Sequence, residues 1–240
     1  MKEIQKVMQF DFINAITTAV GIITLNIVII VPIVFFITPV YATGFLTLPI
    51  FLIGPLQIFE SKYGFNKLYG ILPVHRKSII RGRFALIATL FYSLQFIAML
   101  MTVLAIHVNL SALLSPESST LLQSLQPSYD AKLLPFYLVI YSIVAMFLCC
   151  VFSYMEITGQ LFGRENELKI LTCSITILVV LFICFLKLTE KGVLPYLDPP
   201  KLPQNIFEAI RSIMISNIIT AAFCITCSEI SAHIVSKREL

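Results

Sequence analysis

An all-α, polytopic membrane protein with about six transmembrane helices is the fold this sequence predicts, on three observations. Hydrophobic residues make up 58% of the chain and charged residues only 12%, whereas a soluble domain carries roughly 25% charged residues to cover its surface. The apolar residues gather into blocks long enough to cross a hydrocarbon core of about 30 Å, which takes about 20 helical residues. Lys and Arg cluster between particular blocks, which is a signal of topology. The mean hydropathy of +0.92 agrees.

The elements follow in chain order. In residues 1–13, Ile4, Val7, Met8, Phe10 and Phe12 interleave with Lys2, Glu3, Gln5, Lys6 and Asp11. That pattern reads as an N-terminal amphipathic helix in the headgroup region, or as an extension of the first span. No cleavable signal peptide is expected, because the first apolar block is too long for a signal h-region. The first span is expected at about 13–37, with Pro32 near its outer end. The second, about 41–59, holds Pro49 and Pro55; it is expected to be irregular and to pack against protein, where freed backbone groups find partners. Residues 60–83 carry six of the 17 basic residues. The third span, about 84–106, has no Asp, Glu, Lys or Arg. A Ser-, Gln- and Pro-containing loop leads to the fourth span at about 133–155. A polar stretch, 156–169, precedes the fifth at about 170–186. A Pro-rich loop precedes the sixth at about 212–235. The chain, 1–240, reads as a single transmembrane domain.

Orientation follows from charge. Segments 1–13, 60–83, 156–169 and 236–240 carry 12 of the 17 basic residues. Short loops rich in Lys and Arg stay inside, so both termini are expected in the cytoplasm of a multi-pass protein of the cytoplasmic membrane. Charge placed in this way gives no reason to expect a nucleic-acid partner.

Little in the chain suggests chemistry of its own. All six cysteines fall in apolar blocks, where free Cys packs as a small hydrophobe. Cys224 and Cys227 have a metal-like spacing, but no His or second Cys pair stands near them at the same depth, so no metal site is expected. No Gly-x-x-x-x-Gly-Lys-Ser/Thr occurs. Polar residues within the spans are sparse: Asn26, Gln95, Asn217 and Glu229. They are expected to make interhelical hydrogen bonds. The histidines and glutamates are too scattered for an intramembrane protease, and no Gly-x-Ser-x-Gly is present. The chain is therefore expected not to be an enzyme, with no catalytic residue and no cofactor of its own.

The most informative segment is 60–83. Phe65, Leu68, Tyr69, Ile71 and Leu72 recur near helical spacing, Pro73 breaks the helix, and Arg76, Lys77, Arg81 and Arg83 follow. The apolar side suits a groove on a cytosolic partner. It equally suits membrane lipid, with the cations on anionic headgroups.

The run Leu68-Tyr69-Gly70-Ile71-Leu72-Pro73-Val74-His75-Arg76-Lys77-Ser78-Ile79-Ile80-Arg81-Gly82-Arg83, after an amphipathic start and two spans, resembles the permease subunits of bacterial type-2 ATP-binding-cassette exporters. The likeness is to their compact six-span subgroup. The motif covers about 60–84, and the likeness elsewhere is in topology alone. It implies a partner ATPase subunit in the cytosol, which holds the ATP and Mg, and a second permease copy or paralogue. It implies that Phe65, Leu68, Tyr69, Leu72, Pro73, Arg76 and Lys77 form the contact that couples the ATPase to the spans. It also implies export of a hydrophobic or amphipathic substrate, with a peptide as one class. The alternative is a membrane immunity or scaffold protein that transports nothing.

Overall fold

The computed structural model describes residues 2–36, 39–54, 74–108, 131–163, 166–190, 203 and 205–237. Every regular element among them is helical: α1 (Lys2–Phe36), α2 (Pro39–Gly54), α3 (Arg76–Val108), α4 (Leu134–Phe162), α5 (Glu167–Glu190) and α6 (Ile206–Lys237). A 3-10 turn, Ala131–Leu133, leads into α4. The all-helical class expected from the sequence holds. Three segments, Arg76–His107, Ala131–Phe162 and Ile206–Val235, are long and apolar enough to cross a membrane, and the two parts of α1 make a fourth if the bent pair counts as one span.

α1 is not straight. Its parts Lys2–Thr17 and Ala19–Phe35 lie at 74° to each other. The bend falls where the Thr17 hydroxyl donates to the carbonyls of Ile13 and Asn14, both at 3.0 Å. Pro32 sits well beyond the bend. α2 opens as a 3-10 helix over Pro39–Thr47, so the irregularity expected of the second block lies at its start.

Side-chain pairs give each helix its direction. Arg83 meets Glu156, Phe91 stacks at 5.7 Å on Phe152, and Thr102 lies 2.7 Å from Tyr141. α3 and α4 are therefore antiparallel. Ser142 meets Ser216 and Cys149 meets Cys224, so α4 and α6 are parallel. A parallel pair needs a return between its members. α5 supplies it: 24 residues extend about 36 Å as an α-helix. The Tyr154 and Ser174 hydroxyls, 2.8 Å apart, set its beginning beside the end of α4. α1 runs with α3, since Val7 packs with Ile79 at one end, and Val34 shares a core with Ala98 and Ala105 toward the other. α2 comes back, from Pro39 at Tyr141 to Leu52 in the core with Leu86.

The turn between α4 and α5 is closed by its own chemistry. Gly163 adopts φ +88°, open to a residue without Cβ, and its amide bonds the Gly159 carbonyl at 3.1 Å. The Asn166 side chain donates to the Phe162 carbonyl at 3.3 Å.

The surface is inverted relative to a water-soluble bundle. Phe207, Phe96, Ile218, Leu178 and Ile225 are exposed, while Ser142, Ser153, Ser216, Thr220, Ser228 and Ser231 are buried. Exposed hydroxyls turn back on their own helices: Thr24 donates to Val20, Thr176 to Thr172 and Thr226 to Ala222, at 2.8–2.9 Å. A helix surface that satisfies its own polar groups and presents apolar side chains fits hydrocarbon.

Candidate functional site

The basic segment enters the bundle as a helix. α3 begins at Arg76, with the His75 carbonyl accepting from the Ser78 and Ile79 amides at 2.8 and 3.2 Å. Residues 76–83, read from sequence as the approach to a span, are therefore its first two turns. Arg76 and Lys77 lie exposed at that start. Phe65, Leu68, Tyr69, Leu72 and Pro73 lie outside the described residues.

Two turns in, α3 is fastened to three other helices. Arg83 is 5% exposed, between Asp11 of α1 and Glu156 of α4, which are at most 2% exposed. Its Nη1 donates to Glu156 Oε1 at 3.1 Å, and its Nε lies 3.8 Å from Asp11 Oδ2. Gln160, one turn beyond Glu156, donates to the same Oε1 at 3.2 Å. On the other side of α3, Arg81 donates to Glu229 of α6 at 2.7 Å. Beside it Ile80 and Phe84 pack with Cys227 and Ala232. Arg81 and Arg83, two positions apart, point to different neighbours because each residue turns a helix by about 100° and two turn it by about 200°.

Gly82, between them, is where α1 crosses. A Cβ there would lie 2.8 Å from Val7 Cβ and Cγ1 and 3.3 Å from the Ile4 carbonyl oxygen, so the glycine permits the approach. Ser78 donates to Glu3 at 2.7 Å a turn earlier. That bond holds the Glu3 carboxyl below its ordinary pKa. The N-terminal part of α1 is thus tied to α3 by Glu3, Val7 and Asp11, each on the face turned to it.

Charges inside a helical membrane protein are rare and pair with one another. Burying one arginine against two carboxylates fixes the register of α1, α3 and α4 at one level, because breaking either contact leaves a charge without its counterion. This cluster was not anticipated from the sequence, which places Asp11 in the amphipathic start, Arg83 in the basic segment and Glu156 in the polar stretch 156–169. The polar residues singled out within the spans behave differently from one another. Glu229 takes Arg81. Asn26 turns to the Ile22 carbonyl of its own helix at 2.9 Å, not to a neighbour. Gln95 is buried, and its side-chain oxygen has no partner among the described residues. Asn217 contributes its backbone carbonyl, which accepts from Tyr92 at 2.9 Å.

Deeper in the bundle, α4 and α6 meet through small groups. Cys149 and Cys224 bring their sulfurs to 3.4 Å, with Ser153 Oγ 3.3 Å from Cys224. At the far end the Tyr141 hydroxyl donates to the Pro39 carbonyl at 2.8 Å, fixing α2 to α4. A groove of about 480 Å³ lies in the elbow of α1, walled by Gln9, Phe12, Ile23, Leu52, Leu86 and Leu94 among others. No known protein family, no curated protein and no solved structure matches the chain.

Proposed function

We propose that this chain is the membrane permease subunit of an ATP-driven exporter in a bacterial cytoplasmic membrane, powered by a separate cytosolic ATPase and paired with a second permease. In this reading the substrate is hydrophobic or amphipathic, with a peptide as one class. The chain crosses six times, with both termini in the cytoplasm. The alternating directions of α1 to α6 support six crossings, and the 12 basic residues of the presumed inner segments support the orientation. The first part of α1, at 74° to the second, supports an amphipathic helix lying along the interface.

The observation that carries the coupling role is the joint between the basic motif and the bundle. Its last two arginines, Arg81 and Arg83, hold Glu229, Asp11 and Glu156. Force applied to 60–77 at a docked ATPase then enters α3 at its start and passes to α1, α4 and α6 together. Phe65, Leu68, Tyr69 and Leu72 supply the docking face, Pro73 the turn, and Arg76 and Lys77 the flanking charge.

Leu68→Asp with Tyr69→Asp tests this. The ATPase is expected to be lost from the purified complex while the permease still inserts. Retention of the ATPase with transport intact overturns the coupling role. Orientation is tested separately by single cysteines. One at Ser118 is expected to react with an impermeant reagent added outside, and one at Lys67 to be protected; the reverse overturns the assignment.

A further inference from the structure

We propose that the groove in the elbow of α1 binds an anionic phospholipid, with one acyl chain along α3 and the headgroup on Lys2 and Lys6. The inference rests on the membrane placement above and not on transport.

Shape comes first. The two parts of α1 diverge by 74°, and the space between them, α2 and α3 measures about 480 Å³. Small-molecule sites occupy roughly 300–1,000 Å³. Along α3 the groove runs from Leu86 to Leu94, about 12 Å at the helical rise. One leaflet of hydrocarbon is about 15 Å deep, so the groove spans most of one leaflet, the one at the Arg83 end. Its walls are apolar, and the Thr89 hydroxyl on them donates to Ala85 at 2.7 Å, hiding its polarity.

Charge selects the headgroup. Lys2, Gln5, Lys6 and Gln9 follow one another at helical spacing on the exposed side of α1 and lead into Phe12 and Ile16 at the groove. The two acids of this segment are turned the other way: Glu3 bonds Ser78, and Asp11 lies buried at Arg83. Among the described residues, the exposed side of α1 that leads into the groove therefore carries cations and no acid. An anionic headgroup above an acyl chain complements it. A cationic amphipathic peptide does not.

The test uses the purified full chain equilibrated with equimolar phosphatidylglycerol and phosphatidylcholine, with bound lipid read by native mass spectrometry. Wild type is expected to retain phosphatidylglycerol in preference. Lys2→Gln with Lys6→Gln, both on the surface, is expected to weaken that preference roughly thirtyfold, the loss for two juxtamembrane lysines. Ser93→Phe, on the groove wall, is expected to lose both lipids. Equal retention of the two lipids by wild type overturns the proposal. So does a preference unchanged in the double lysine variant, or displacement of phosphatidylglycerol by a cationic amphipathic peptide. Loss of the lipid preference leaves the permease reading standing, and failure of the ATPase to co-purify leaves the lipid site standing.

Discussion

Arg83→Met removes the cation from between two buried carboxylates, and the structure sets the size of the effect. With nitrogen–oxygen separations of 3.1 Å to Glu156 and 3.8 Å to Asp11, an effective dielectric of about 20 gives gross attractions of about 5 and about 4 kcal/mol. Desolvation of three charged groups offsets most of this, so the intact cluster contributes little net stability. Removing one member is another matter: the counterions remain buried, and the loss is about 3–5 kcal/mol. At about 2–4 °C per kcal/mol for a chain of this size, the melting temperature falls by about 6–20 °C. The chain has no Trp, but Cys149, Cys224 and Cys227 are buried and free. A thiol-reactive dye reads their exposure during heating, with exposed Cys173 setting the baseline. Asp11→Asn and Glu156→Gln added to Arg83→Met remove the stranded charges, and the triple variant is expected to recover much of the loss. A melt for Arg83→Met within about 2 °C of wild type would mean that less than about 1 kcal/mol rests on the cluster and would refute the reasoning. A triple variant less stable than the single one would do the same.

Gly82→Ala gains up to about 1 kcal/mol of helix propensity but presses a Cβ to 2.8 Å from Val7, an overpacking cost of about 1–3 kcal/mol. It is expected to destabilise the wild type and to cost less in Val7→Gly, which removes both contacting carbons, a coupling that a double-mutant cycle detects. Copper-catalysed air oxidation is expected to join Cys149 to Cys224, whose sulfurs are 3.4 Å apart. Peptide mapping that finds Cys224 joined to Cys150 instead would contradict the face that α4 turns to α6. The Glu3 pKa is lowered from 4.5 by the bond from Ser78. Its contribution is present above the ordinary carboxyl pKa and is lost as pH falls through the lowered one. Amide protection in the first turns of α1, taken against the intrinsic exchange rate at each pH, is therefore expected to fall over that acid window in the wild type and to be flatter in Ser78→Ala.

The long helices were legible because one physical variable marks them. Uninterrupted apolar runs announce α3, α4 and α6, and apart from residue 133, one before α4, the bounds expected from the sequence fall inside the observed ones, short by up to eight residues. The shortfall is informative at the start of α3. Arg76 to Arg83 reads as a basic approach to the third span, yet it belongs to that helix, because arginines propagate a helix well and here find acids on three neighbours. The bend in α1 carries no mark as plain as a proline: Pro32 drew attention, whereas the turn falls at Thr17. The charge cluster was hidden because its members are 72 and 73 residues apart, a distance over which periodicity says nothing. Two local signs existed. A glycine flanked by two arginines marks a close crossing, and Glu156 follows an apolar run without a break in its helix.

The cluster also orders events during synthesis. Arg83 leaves the ribosome 73 residues before Glu156, which at about 5–20 residues per second is a wait of about 4–15 s. Asp11 has already been made. It is then the acid available to an arginine two turns inside a nascent helix. In the finished protein Asp11 is the more distant of the two acids, at 3.8 Å against 3.1 Å. For the nascent chain it is the earlier one, and it gives α3 a seat on α1 before α4 exists. Substitution of Asp11 therefore bears most heavily on the yield of inserted chain, and that of Glu156 on the stability of the chain once inserted.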